Sequence, residues 1–201
     1  MEIQTPEGFE EHQLEARIID IKQANKFALW GMIPAFILYF IPYFLIGGEL
    51  DFSNNWGLSS IYTIILYPLI TIGALFGGIV LHELIHGVFW SFYAKKGFKS
   101  IKFGVLKESS TPYCHCKEPL KVKHYIIGGI MPAILLGFIP GFLAIYWGHS
   151  ALLLFGFFFT ISAMGDFMII NMIRKEPASN WVLDHPSEAG YFIFKKDLPN
   201  S

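Results

Sequence analysis

The stretch Gly77-Gly78-Ile79-Val80-Leu81-His82-Glu83-Leu84-Ile85-His86-Gly87 lies in a run that holds no Lys, Arg or Asp from Gly57 to Ala94. A run of that length and composition predicts a membrane-crossing helix. Within it, HELIH is an instance of H-E-x-x-H. On a helix, positions four apart share a face, so His82 and His86 point the same way. Two imidazoles so placed can bind one Zn²⁺, and Glu83 beside them is a candidate general base. Ionisable groups are costly in apolar surroundings and mark function when they are kept there.

The rest of the chain has the same character. Of its 201 residues 53% are hydrophobic and only 15% charged, against about 25% charged in an ordinary soluble domain. The class this predicts is an all-α membrane protein. A net charge of −1 argues against nucleic acid as a partner, because phosphate binding needs clustered Lys and Arg. Two cysteines, Cys114 and Cys116, are too few and too close to staple a secreted scaffold.

Four apolar spans are expected: Phe27 to Ile46, Leu58 to Tyr93, Tyr125 to Trp147, and Ala151 to Ile173. The second is too long for a hydrocarbon core of ~30 Å. It must tilt, protrude or break, with Pro68 and Gly77-Gly78 as the points for a break. Lys and Arg number three in residues 1–26, eight in 94–124 and four in 174–201, and none lies in 47–57 or 148–150. By the positive-inside rule, both termini and the 94–124 segment face the cytoplasm, in what is expected to be the cell membrane. The organisation predicted is an N-terminal segment (1–26), a four-span core (27–173) and a cytoplasmic tail (174–201). In the N-terminal segment Leu14, Ile18 and Ile21 recur at helical spacing, which reads as an amphipathic surface helix or a solvated arm. No basic stretch or small-residue cleavage site precedes the first span, so no cleaved signal peptide is expected.

Residues 98–120 break the membrane pattern. Ile101, Phe103 and Val105 alternate with Lys102 and Gly104, Glu108-Ser109-Ser110 turns, and Tyr113 to Cys116 alternates again. A small cytoplasmic β-hairpin between the second and third spans is predicted. The tail reads as short turns and one strand.

Inside the spans the acidic and imidazole side chains are His82, Glu83, His86 and Asp166, with no Lys or Arg. Two imidazoles, a carboxylate ligand and a spare carboxylate make up the set a catalytic zinc site needs. The bland reading, interhelical hydrogen bonds alone, leaves carboxylates at membrane depth at a cost of several kcal/mol each. Depth supports Asp166 as the third ligand. The second and fourth spans run in the same direction, and His86 precedes Lys95 by nine residues as Asp166 precedes Arg174 by eight. At ~1.5 Å per residue both lie about 12–14 Å from the boundary. Cys114-His115-Cys116 is a poor metal site, because strand alternation puts His115 opposite the two thiols. His124, His149 and His185 read as interfacial or loop residues. Asn171 reads as a packing residue, with donation to an oxyanion as its alternative.

HELIH in a membrane helix, a polar hairpin, a Pro-containing middle helix and a final acidic helix resemble the core of site-2-type intramembrane metalloproteases. HELIH, the YCHCKEPL segment, Gly165-Asp166 and DHPSEAG resemble more closely a small family of putative zincin peptidases (domain of unknown function 3267). The resemblance implies His82, His86 and Asp166 as ligands and Glu83 as catalyst. It departs from the site-2 pattern around Asp166, where Ser162-Ala163-Met164-Gly165-Asp166-Phe167 lacks the preceding Asn-Pro and the following Gly. The activity expected is an intramembrane zinc metalloprotease. Its partners would be the lipid bilayer and a membrane-protein or peptide substrate, cut by zinc-activated water in or near a transmembrane segment. The rivals are a non-enzymatic metal carrier or assembly factor, and an inactive protease-like binding module.

Overall fold

The computed structural model describes residues 14–50, 60–106, 111–185 and 190–194. The polar turn expected at Glu108-Ser109-Ser110 and the N-terminal residues before Leu14 lie outside them. The first element is a strand, β1 (Leu14–Ile18), and not the amphipathic helix read from Leu14, Ile18 and Ile21. Five residues are too few to hold a helix in water, whereas pairing with β6 (Gly190–Phe194) supplies every residue of β1 with a partner, from Leu14↔Phe194 to Ile18↔Gly190.

Helix α1 (Ile21–Leu45) starts where the Asp20 carboxylate accepts the Lys22 N–H at 2.9 Å, satisfying one of the free donors at a helix start. It stops at Gly47, whose φ of +81° suits glycine alone, with Gly48 N–H returning to the Tyr43 carbonyl at 2.9 Å. Helix α2 (Ser60–Ser91) runs as one helix through Pro68 and Gly77-Gly78, so of the alternatives tilt, protrusion and break, the break does not occur. At Gly78 the missing Cβ is what admits Phe159, whose ring would lie 2.2 Å from it. The glycine is there for a neighbour, not for a hinge.

The third apolar segment is α3 (Val122–Pro132), a π-helical turn (Ala133–Phe138) and α4 (Ile139–Trp147). Wider turns of this kind accommodate a helix interrupted by a residue that cannot donate, here Pro132. The fourth is α5 (Ser150–Ser162), capped by His149 accepting the Leu152 N–H at 3.1 Å, followed by α6 (Met164–Ile173) after a 42° bend. Among the described residues, three helical stretches are long and apolar enough to cross a membrane: Asn25–Leu45, Ile65–Ser91 and Val122–Trp147. The bent α5–α6 pair makes four if it counts as one span. Trp30, Phe76 and Val80 are all more than 60% exposed, an arrangement that suits lipid and not water.

The protein is mostly helical but not all-α. Beside the hairpin of β2 (Ile101–Leu106) and β3 (Thr111–Cys116), in register Ile101↔Cys116, stands a second antiparallel sheet. Its order is β1-β6-β5-β4, with β4 Leu120–Lys121 and β5 Trp181–Asp184. The tail supplies two strands where the sequence suggested one, because β6 gains partners on both edges.

The chain divides into two compact units. One takes the described residues of Asn25–His82 and Pro132–Gly165. Its buried cluster is Tyr39, Phe40, Tyr43, Ala144 and Leu153. Here α4 and α5 meet backbone to backbone, since a Cβ on Gly156 would lie 2.5 Å from the Gly141 nitrogen. The Thr160 hydroxyl, which donates to the Gly156 carbonyl at 2.9 Å, bonds the Tyr39 hydroxyl at 2.7 Å. The other unit takes the described residues of Met1–Ala24, Glu83–Met131 and Asp166–Ser201. Both sheets belong to it, with a core that includes Trp90, Cys116, Leu120, Tyr125, Ile173, Val182 and Ile193. Full burial of each large apolar side chain contributes about 1.5–3 kcal/mol.

Candidate metal centre

Helix α2 carries HELIH in its last three turns, and the unit boundary falls inside that continuous helix, directly after His82. His82 and His86 are buried, at 7% and 4% exposure. In α6 Asp166 lies in the first turn, and its Oδ1 is 3.3 Å from His86 Nε2. Ligand-capable atoms of His82, His86 and Asp166 all lie within 4.8 Å of one another. The structure therefore brings together the two histidines and the aspartate that the sequence singled out. Glu83, half-buried, follows His82 on the same helix.

The donor set fits zinc. Two ligand atoms held ~2.0–2.1 Å from a tetrahedral ion are about 3.3–3.4 Å apart, the separation found between His86 Nε2 and Asp166 Oδ1. His86 Nδ1 is 2.9 Å from the Gly128 carbonyl. A carbonyl accepts only, so Nδ1 carries the proton and Nε2 keeps its lone pair for a metal. The imidazole plane is further set by Trp90, stacked at 5.0 Å and 15°. Gly128 is needed for this approach, since a Cβ there would lie 2.1 Å from Trp90 Cδ1.

The hairpin docks on α2 one residue past the motif. A Cβ on Gly87 would meet Phe103 at 2.7 Å, Ile101 at 2.9 Å and the Cys114 sulfur at 3.3 Å. Burial pushes the thiols of Cys114 and Cys116 up, Cys116 to about 12, so both remain protonated at neutral pH. Neither joins the three-residue cluster. His115 is buried, 3.9 Å from Asp184. Burial holds it below its usual value despite that carboxylate, so the contact is that of a neutral imidazole. His124 stacks on Tyr93 at 4.0 Å. Asn171 is exposed and accepts from Arg174 Nε at 2.9 Å, which removes the packing role read from sequence.

Sequence reasoning missed Tyr125, Trp90 and Gly128, and read Asp184 only as part of the DHPSEAG segment and a fallback ligand should Asp166 fail. Trp90 and Tyr125 carried no signal, because aromatic residues near span ends also face lipid. Asp184 is buried in β5 and accepts the Cys116 N–H at 2.8 Å and the Tyr125 hydroxyl. Burial raises its carboxyl above the usual range, opposed by His115 and these two donors.

No curated protein and no solved structure matches the chain. Residues 75–181 match the family model described as putative zincin peptidase, domain of unknown function 3267. That stretch spans the H-E-x-x-H turns, the hairpin, α3 to α6 and the first residue of β5, more than half of the sequence, so the chain belongs to this family.

Proposed function

We propose that the protein is an intramembrane zinc metallopeptidase that hydrolyses peptide bonds in or near transmembrane segments of other proteins. The observation that carries this reading is the convergence of His82 and His86, on a helix long and apolar enough to span a membrane, with Asp166 of α6. These three would hold the ion. Bound there, zinc would supply a water acidified toward pH ~7 and polarisation of the scissile carbonyl. Glu83 takes the proton of the attacking water and hands it to the leaving nitrogen. His86 is kept in the metal-accepting tautomer by the Gly128 carbonyl. Among the described residues, the hairpin β2–β3 forms a two-stranded sheet of its own. Its free edge suits an extended substrate, which must leave the helical state before its carbonyl can be attacked.

Metal analysis of the detergent-purified protein tests the centre of this reading. The expected result is close to one zinc per chain in the wild type and a large loss in His82→Ala. A wild type that binds no metal after zinc loading overturns it.

The Lys and Arg distribution supports a loop after α1 outside and a segment after α6 in the cytoplasm. A cysteine at Leu50, which is exposed, should react with an impermeant maleimide added to intact cells, above the background of the native thiols. A cysteine at Lys175 should not. Labelling of Lys175→Cys from outside reverses the orientation.

A further inference from the structure

The geometry points to Asp184 as a positioning residue for the metal centre, acting through a stack of three aromatic rings that ends on His86. The inference rests on the zinc reading above and adds to it a residue on β5, far from the motif in sequence.

The path is continuous within one unit of the chain. Asp184 is 7% exposed, and a carboxylate so deeply buried is retained only when its oxygens are satisfied. One oxygen accepts the Cys116 N–H of β3 at 2.8 Å, and the other accepts the hydroxyl of Tyr125 in α3. That second bond fixes the far end of the Tyr125 ring. The near end is fixed by its own backbone, whose carbonyl accepts the Trp90 indole N–H at 3.0 Å. Between these anchors the Tyr125 ring stacks on Trp90 at 5.0 Å and 22°. Trp90 stacks in turn on His86 at 5.0 Å and 15°. Each link is a directional hydrogen bond or a ring pair. Trp90 cannot slide toward α3, because it already lies on the backbone at Gly128.

An apolar side chain at 184 would fill the same space, but it would leave the Tyr125 hydroxyl and the Cys116 N–H without a buried acceptor. Releasing the Tyr125 hydroxyl frees the ring to tilt. Trp90 then loses one of the surfaces that hold it parallel to His86, and Nε2 no longer points steadily at the ion. Direct partners of metal-ligating histidines typically affect affinity about 10–100-fold. Asp184 acts through two intervening residues, Tyr125 and Trp90, so an effect near the lower edge is expected.

Tyr125→Phe and Asp184→Asn, singly and together, test this in the purified full-length chain. Three properties are read: zinc affinity by chelator competition, the visible spectrum of the Co²⁺-loaded protein, and the thermal midpoint. Tyr125→Phe keeps the ring and removes only the hydroxyl, so it carries the test if Asp184→Asn fails to fold. Each single variant should bind zinc about 5–10-fold more weakly and shift the cobalt bands. The double variant should be no worse than the weaker single one, because both changes cut one path. Wild-type zinc affinity and an unchanged cobalt spectrum in Tyr125→Phe would overturn the inference, even if the thermal midpoint fell. Losses that multiply in the double variant would also overturn it, since they would mean independent effects. If the wild type itself binds neither ion, the zinc reading fails first and this one falls with it.

Discussion

Replacing Glu83 by Gln should leave zinc occupancy at the wild-type level and lower peptide hydrolysis by about 10²–10⁴-fold, the range for a positioned general base. The two side chains are nearly the same size, and Gln cannot take up a proton. His82 and His86, one residue before and three residues after Glu83, lie on the helix face that would hold the ion, so the substitution need not disturb them. Hydrolysis of an unwound single-span peptide in detergent, with metal content measured on the same sample, reads both quantities. Retained metal with lost turnover is the signature of a base. Loss of both would make Glu83 a ligand, and wild-type turnover would remove it from the mechanism.

The second large effect concerns Asp166. Asp166→Ala removes the oxygen found 3.3 Å from His86 Nε2, leaving two imidazoles where a catalytic zinc site has three protein ligands. Zinc affinity should drop by at least ~10-fold, and activity should disappear. Dialysis against a mild chelator, followed by metal analysis, is the measurement. If the variant keeps its zinc under conditions that strip His86→Ala, Asp166 is not a ligand.

What could be read from sequence was what repeats at short range. His82 and His86 are four residues apart on a helix, and helical geometry alone puts them together. The hairpin was equally legible, because Ile101, Phe103 and Val105 alternate with residues of the opposite face and now pair in register with Cys116, Cys114 and Pro112. Asp166 needed a longer argument, by counting residues to flanking positive charges, and the structure places its carboxylate beside His86. The second sheet was not legible. Leu14 to Ile18 satisfies a helical and a strand pattern alike over so few residues. Only the arrival of Phe192 and Phe194 from the far end of the chain decides between them. The ring stack was hidden for a different reason. Trp90 and Tyr125 sit 35 residues apart, and each reads as an interfacial aromatic until folding shows one lying on the other. Gly78 misled for a related cause, since a glycine that admits Phe159 looks the same in sequence as one that bends a helix.

The pairing of β1 with β6 has a consequence for how the molecule is made. Ile18 must meet Gly190, so β1 leaves the ribosome on the order of 170 residues ahead of its partner. At ~5–20 residues per second, that is a wait of roughly ten to thirty seconds. Throughout that interval the apolar helices are translated one after another while β1 waits for the strand it pairs with. The sheet in the unit that carries Glu83, His86 and Asp166 can close only after β6 has been translated. In a nascent chain the helices α1 to α6 are therefore translated before the strand that completes this sheet, and the order of synthesis itself delays closure of the sheet until β6 arrives.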